Sequence, residues 1–315
     1  MSIISNTFTR YSSIGIREEL ANVIFNISPQ ETPFVSNIGK KSVRNTYFEW
    51  QTDALAAAAA NAQIDGDNLA SHSAVVPTVR EGNYTQIMRK DFILADNLEV
   101  INEAGRKSEK AYQITKTGNE LKRDLEFNLC GVNNAKAAGS TSAARETGSL
   151  NTWISTNVSA GSNGAGSGSG AARTDGTQRA ITEALLKTVM QATWTQGGSP
   201  SMVMVGPHVK TVISGFAGIA AQRYQAGDGP TTIIGAADVY VSDFGSINIV
   251  PSRFSRARDA YVLDTDLLSV ATLRPMQVVD LAKTGDASKS MTLVEAGLQV
   301  DNEKGLGAVY DLSTS

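Results

Sequence analysis

The sequence predicts a mixed α+β protein. Three observations carry the prediction: apolar and polar residues alternate over residues 42–94, one long stretch of helical periodicity runs over residues 97–130, and strands and helices mingle after residue 177. With 315 residues, 41% of them hydrophobic, the chain is long enough for a substantial core and for two subdomains.

Residues 1–40 read as an arm. "IGIREELANVIFNISPQETPF" holds one short amphipathic helix, with Ile16, Leu20, Val23 or Ile24, and Ile27 at helical spacing, before Pro29 and Pro33 impose extended chain. A helix this short is marginal alone and has to lie on another surface.

Alternation begins at Ser42. In "SVRNTYFEWQTD", Thr46, Phe48 and Trp50 share one face of a strand, and Asn45, Tyr47 and Glu49 the other. "PTVREGNYTQIMRKDFIL", Pro77 to Leu94, reads as a second long strand with a break at Gly82, so the two form a hairpin. Between them, residues 53–76 carry "ALAAAAANAQIDGDN", an alanine run followed by Asp, Asn and Gly, which is too long for a tight turn and too polar for a core.

The helical stretch follows. Positions 101, 104, 108, 111, 115, 118, 121, 125 and 129 make a narrow stripe of small and apolar residues between charges, with Glu103–Lys107 and Lys122–Glu126 spaced i,i+4. At ~1.5 Å per residue such a helix spans roughly 50 Å. Residues 136–176 are poor in structure, and "SAGSNGAGSGSGAA" reads as a flexible surface loop. "TQRAITEALLKTVMQATW" is a second helix, "SMVMVG" a buried strand, and "PHVKTVISGFAG" a helix opened by Pro207. "DVYVSDFGSINIV" is a hairpin, "DAYVLDTDLLSVATL" continues the β region, and "MTLVEAGLQV" and "LGAVYDL" are late strands.

Several chemistries are disfavoured. A net charge of -3 and a pI near 5.5 argue against an electrostatic grip on nucleic acid. The lone Cys130 excludes an intrachain disulfide and reads as a packed helix residue. The N-terminus lacks a secretory pattern, and no apolar run approaches the ~20 residues of a membrane span. Gly166, Gly168 and Ala171 match G-x-G-x-x-A, yet no helix is predicted to start there and Gly-Ser repeats give such matches by chance. His72 and His208 lie apart, with no ligand-spaced carboxylate or cysteine beside them, so no metal, cofactor or catalytic residue is expected. Arg253, Arg256 and Arg258, with Asp259 and Asp264 beside them, read as a salt-bridged structural or subunit contact rather than an anion site.

Four stretches, "ISNTFTRYSSIGIREELANVIFNISPQETPF", "YFEWQTDALAAAAANAQIDGD", "PTVREGNYTQIMRKDF" and "VPSRFSRARDAYVLD", closely resemble tailed-bacteriophage major capsid proteins with the Hong Kong-type capsid fold. The resemblance runs over most of the chain, the segment at 160–172 excepted. It implies an N-terminal arm (1–40), an extended loop (41–95), a peripheral domain with a spine helix and Gly/Ser insertion (96–176), an axial domain (177–285), and C-terminal strands (286–315) returning to the peripheral sheet. The implied function is self-assembly through hexamers and pentamers into an icosahedral head that encloses DNA without specific binding. A virion location, assembly in the host cytoplasm, and expansion of a precursor shell by bending of the arm, loop base and spine are implied too. So are a separate scaffolding protein, a portal and a decoration protein. A bacterial nanocompartment shell of the same fold is the alternative, and an enzyme using the Gly-rich loop a remote one.

The alanine run then has a rationale. Ordering each residue costs roughly 1–2 kcal/mol, which the tip cannot offset alone, whereas small side chains permit close approach to a neighbour. Leu55 to Asp67 is expected to lie on an adjacent subunit with Trp50 anchoring its base. The candidate contact residues are Trp50, Leu55, Ala58, Ile64, Asp67, Arg80, Arg253, Arg256, Arg258 and Asp259.

Overall fold

Ser108 starts the long helix: its Oγ accepts from Ala111 N, and Glu109 in the first turn complements the helix dipole. In the computed structural model, which describes residues 30–66, 72, 74–101, 108–216 and 238–315, this helix, α3, runs Glu109–Glu126. Its 18 residues span ~27 Å, about half the length expected. Upstream, Asp96–Val100 forms a separate short helix, α2, that ends where Ile101 turns extended. The Glu103–Lys107 pair and the arm helix around Ile16 to Ile27 lie outside the described residues. Downstream, Phe127–Gly131 widens into a π turn that buries Leu129 and Cys130. The inward face holds Glu109, Thr117, Leu121 and Leu125, while Ala111 and Thr115 of the expected stripe face out.

The spine lies on a four-stranded sheet of β1 (Gly39–Ser42), β4 (Gln86–Ala95), β10 (Leu268–Leu281) and β11 (Ala287–Val300), in the order β1-β10-β11-β4. Thr117 Oγ1 meets Thr292 Oγ1 of β11 at 3.2 Å, and Leu121, Leu125 and Leu129 join Met88, Val294 and Leu298 in one core. The expected strand 77–94 is two strands. β3 (Val79–Tyr84) pairs only with β2 (Tyr47–Thr52), from Tyr47↔Tyr84 to Thr52↔Val79, and β4 pairs with β11. The break falls at Thr85, whose N–H returns to Thr46 O (2.8 Å), and not at Gly82.

A six-stranded sheet, order β5-β12-β9-β6-β8-β7, forms the second layer system: β5 (Val158–Ser159), β6 (Met202–Val205), β7 (Val239–Ser242), β8 (Gly245–Pro251), β9 (Ala260–Leu263) and β12 (Gly307–Val309). α4 (Glu183–Thr195), capped by Thr182 Oγ1 on Leu185 N, and α5 (Pro207–Ser214) bury Leu186, Met190, Val209 and Ile213 against it. β10 and β11 are one hairpin, so a division at 285/286 passes through their turn, and β12 joins the six-stranded sheet instead of the sheet beneath the spine.

Pro33 does not extend the chain. It occupies the first position of a short helix, α1 (Pro33–Asn37), where its missing N–H costs nothing. Glu126 is correspondingly not a surface partner of Lys122: it is fully buried and accepts from Phe34 N and Val35 N, both at 2.8 Å.

The Gly/Ser segment is folded, not a flexible linker. Ala165 pairs with Thr174, Gly161, Gly168 and Gly170 are buried, and Gly168 and Gly170 take φ of +67° and +78°. A Cβ on Gly168 would lie 2.8 Å from Ser155 Oγ. Gly168→Val therefore meets both a left-handed backbone and a packed neighbour and is expected to cost about 2 kcal/mol in a denaturant titration, against nothing for a solvated linker.

Candidate subunit interface

The extended hairpin has a base locked to its own subunit and a tip that is not. At the base, Trp50 stacks on Phe48 (5.9 Å between centroids) and tilts onto Trp153 (5.4 Å). Lys136 Nζ sits 5.2 Å from the Trp153 ring and donates to Gly82 O at 2.8 Å. A Cβ at Gly82 would stand 2.6 Å from the Tyr47 hydroxyl, so a larger residue there displaces that ring. Asn83, fully buried, donates through Nδ2 to Leu298 O (2.6 Å) and Thr147 Oγ1 (3.0 Å), and its Oδ1 accepts from Gly148 N (2.9 Å). At the junction, Thr85 Oγ1 donates to Glu295 (2.9 Å), whose buried carboxylate is also held by Arg145 and Arg274. Trp50 thus anchors the base within the chain; its Nε1 is buried and without a hydrogen-bond partner among the described residues.

Beyond Thr52 the support ends. Residues 53–66 contain no helix or strand and are exposed throughout, Ala58 among them, with Leu55 at 99% and Ile64 at 82% exposure. Their side-chain hydrogen bonds stay local, Asp53 Oδ1 to Ala54 N and Gln63 Nε2 to Asn61 Oδ1, each 2.8 Å. Val75 and Val76 on the returning limb are equally uncovered. Asp67 lies outside the described residues. Arg80 is exposed on β3 and reaches Glu49 across the hairpin at 3.6 Å, a contact of small energetic weight.

The arginine cluster is directed inward. Arg173, whose side chain is fully buried, binds Asp311 (2.8 Å) and Asp175 (2.6 Å); Arg256 binds Asp175 (2.7 Å) and Asp259 (3.0 Å); Arg258 binds Asp175 (3.2 Å) and Asp311 (2.8 Å). The Arg173 guanidinium also lies 4.0 Å from the Tyr310 ring centroid. Asp259 has no exposed surface, so it, Arg256 and Arg258 use their charges within the subunit, and of the three arginines at 253, 256 and 258 only Arg253 is exposed. Burial works to raise the Asp311 carboxyl, but bonds from Arg173, Gly176 N and Gly161 N outweigh it and hold the pKa below the ordinary 3.8. At Asp259 burial wins over Arg256 and Arg173, and the pKa is raised.

Sequence reasoning missed Arg173, Asp175, Asp311, Glu126, Asn83 and Trp153. Two signals were present: Glu295 inside "MTLVEAGLQV" and Asp311 inside "LGAVYDL" are acids within apolar strands, and buried acids demand partners. Among the described residues no group of three or more His, Cys, Asp and Glu could hold a metal ion, His72 is an exposed loop residue, and His208 is the second residue of α5. No helix begins at Ala171; the next one starts at Glu183.

A spine helix on a four-stranded sheet, a separate six-stranded sheet and a projecting two-stranded hairpin define the Hong Kong-type capsid fold. The capsid of cyanophage A-1(L) superposes with a TM-score of 0.69 at 13% identity, covering 95% of this chain and 98% of that one. The holo-SrpI encapsulin complex of Synechococcus elongatus PCC 7942 superposes more loosely, at 0.54 and 11% identity, with 93% of each chain covered. The chain belongs to the SU10 major capsid protein family, whose model matches residues 3–313. A major capsid protein of Escherichia phage Phieco32 is 44% identical over 120 residues, 38% of this chain; the match spans about a third of that relative's length, 34%.

Proposed function

We propose that the chain is the repeating subunit of a tailed-phage head, assembling through hexamers and pentamers into a closed shell around DNA, with a structural rather than a catalytic role. The observation that carries this reading is the contrast within the hairpin: a base fixed by Trp50, Lys136 and Asn83, and a tip presenting Leu55 and Ile64 to solvent. Residues 55–66 of each copy lie on an adjacent subunit, where Leu55, Ala58 and Ile64 find cover. Repeated contacts of this head-to-tail kind close rings and then a container. Exposed Arg80 and Arg253 are available to the same assembly; Arg256, Arg258 and Asp259 support it indirectly by fixing the subunit's shape.

Assembly takes place in the host cytoplasm, with a scaffolding protein, portal and decoration protein as further partners. The encapsulin superposition favours a second reading, a cargo-enclosing nanocompartment; the family match and the closer superposition of the cyanophage capsid support the phage head. Electron microscopy of the purified protein is expected to give closed symmetric particles and capsomers, and a small soluble oligomer at all concentrations contradicts the proposal. Packaged DNA rather than protein cargo in native particles separates the two shells.

A further inference from the structure

The first turn of α1 lacks a cap of its own. Pro33 has no N–H, Ser36 N is taken by Thr32 O (3.1 Å), and the Thr32 side chain makes no capping bond. That leaves Phe34 N and Val35 N, and both are bound by one residue 92 and 91 positions away, the last of the spine: Glu126 Oε1 and Oε2, each at 2.8 Å. We propose that Glu126 is a catch that fastens residues 32–37 to the end of the spine helix.

The catch is held weakly for its depth. Glu126 is fully buried and sits at the helix C-terminal end, where the dipole disfavours an anion, and among the described residues no cation is bonded to it. Neighbouring charges are engaged elsewhere. On its own helix, Asp124 pairs with Lys90 of β4 (3.0 Å), Arg123 lies over the Phe254 ring, and Lys122 is exposed. Glu295 of β11 is held by Arg145 and Arg274, Arg256 by Asp175 and Asp259, α1 has no titratable side chain, and the π turn supplies only the Cys130 thiol, bonded to Glu126 O. Phe34 and Ile38 keep an apolar hold on the same core, so opening the catch frees the first turn without unfolding the domain.

Burial raises the Glu126 carboxyl above its ordinary 4.5 against the two backbone N–H groups that lower it. Opening the catch exposes the carboxyl to water and returns it to its ordinary value, so the raised value means that the fastened state binds the proton more tightly than the open one. Fastening is therefore strongest below pH 4.5 and weakens as pH rises through the buried group's value.

Amide hydrogen exchange of the full-length subunit, corrected for intrinsic rates, tests this. In the natural protein, protection of Phe34 and Val35 is expected to fall as pH rises above 4.5 and then level. E126Q is expected to show no such dependence, and E126A to lose about tenfold in protection at those two amides while Leu121 and Leu125 stay protected. Unchanged protection in E126A, or a natural protein as insensitive to pH as E126Q, overturns the proposal. If E126A does not fold, the comparison with E126Q decides. The measurement needs no shell, so its outcome is independent of the assembly reading.

Discussion

Removing residues 55–66 is expected to leave a subunit that folds normally and forms no closed shells. In the isolated chain these residues are exposed, and among the described residues their side-chain hydrogen bonds are local, so their loss removes nothing from either core. The remaining residues between Thr52 and Val79 still close the β2–β3 hairpin, and shortening a loop changes closure entropy by less than about 1 kcal/mol. Unfolding free energies from denaturant titrations should stay within about 1 kcal/mol of the natural protein. In the shell the balance differs, because ordering about twelve backbones costs on the order of 12–24 kcal/mol, which only contacts with another copy offset. Micrographs showing capsomers or monomers, beside an unchanged melting transition, are the expected result. Closed particles of normal size from the deletion would refute the assignment of the tip.

Arg173→Leu is expected to be the most damaging single substitution of a charged side chain. It leaves Asp259 and Asp311, both without exposed surface, short of the guanidinium that lies between them. Breaking a buried pair by removing one partner typically costs 3–5 kcal/mol, a large part of the stability of a domain. Arg253→Ala, on the exposed side of the same stretch, should change stability by less than about 0.5 kcal/mol. Combining Arg173→Leu with Asp311→Leu should cost less than the sum of the two single changes, since neither charge is then left alone. Additive losses in denaturant titrations would show that Arg173 and Asp311 act separately.

What could be read from the residues follows the range of the forces involved. The β2–β3 hairpin was legible because Phe48 and Trp50 alternate with Tyr47 and Glu49, and β6 because Met202 to Val205 is continuously apolar. The spine was over-read: a stripe counted from position 101 satisfies helical spacing, but Ser108 with Glu109 behind it is a start signal in the middle of the stripe. The composition of 160–172 resembles a linker, yet its glycines serve φ values and close approaches that composition does not encode. Arg256 and Arg258 were visible as a basic cluster, and their partner Asp175, 81 and 83 residues earlier, was not. Glu126 was assigned to Lys122 by the four-residue rule, which holds on a solvated surface and fails where the helix end is covered by α1.

The position of β12 has a consequence for timing. Its three residues lie between β5 and β9, pairing Ala308 with Val158 and with Tyr261, so a gap remains in the six-stranded sheet until residue 309 has been synthesised. β1, made early, likewise waits more than two hundred residues for Ser269 to Thr272 of β10. Such distant pairings are slow to form and cannot be completed on the ribosome while the chain is short. A polypeptide still under translation therefore lacks the finished body on which its own hairpin is mounted.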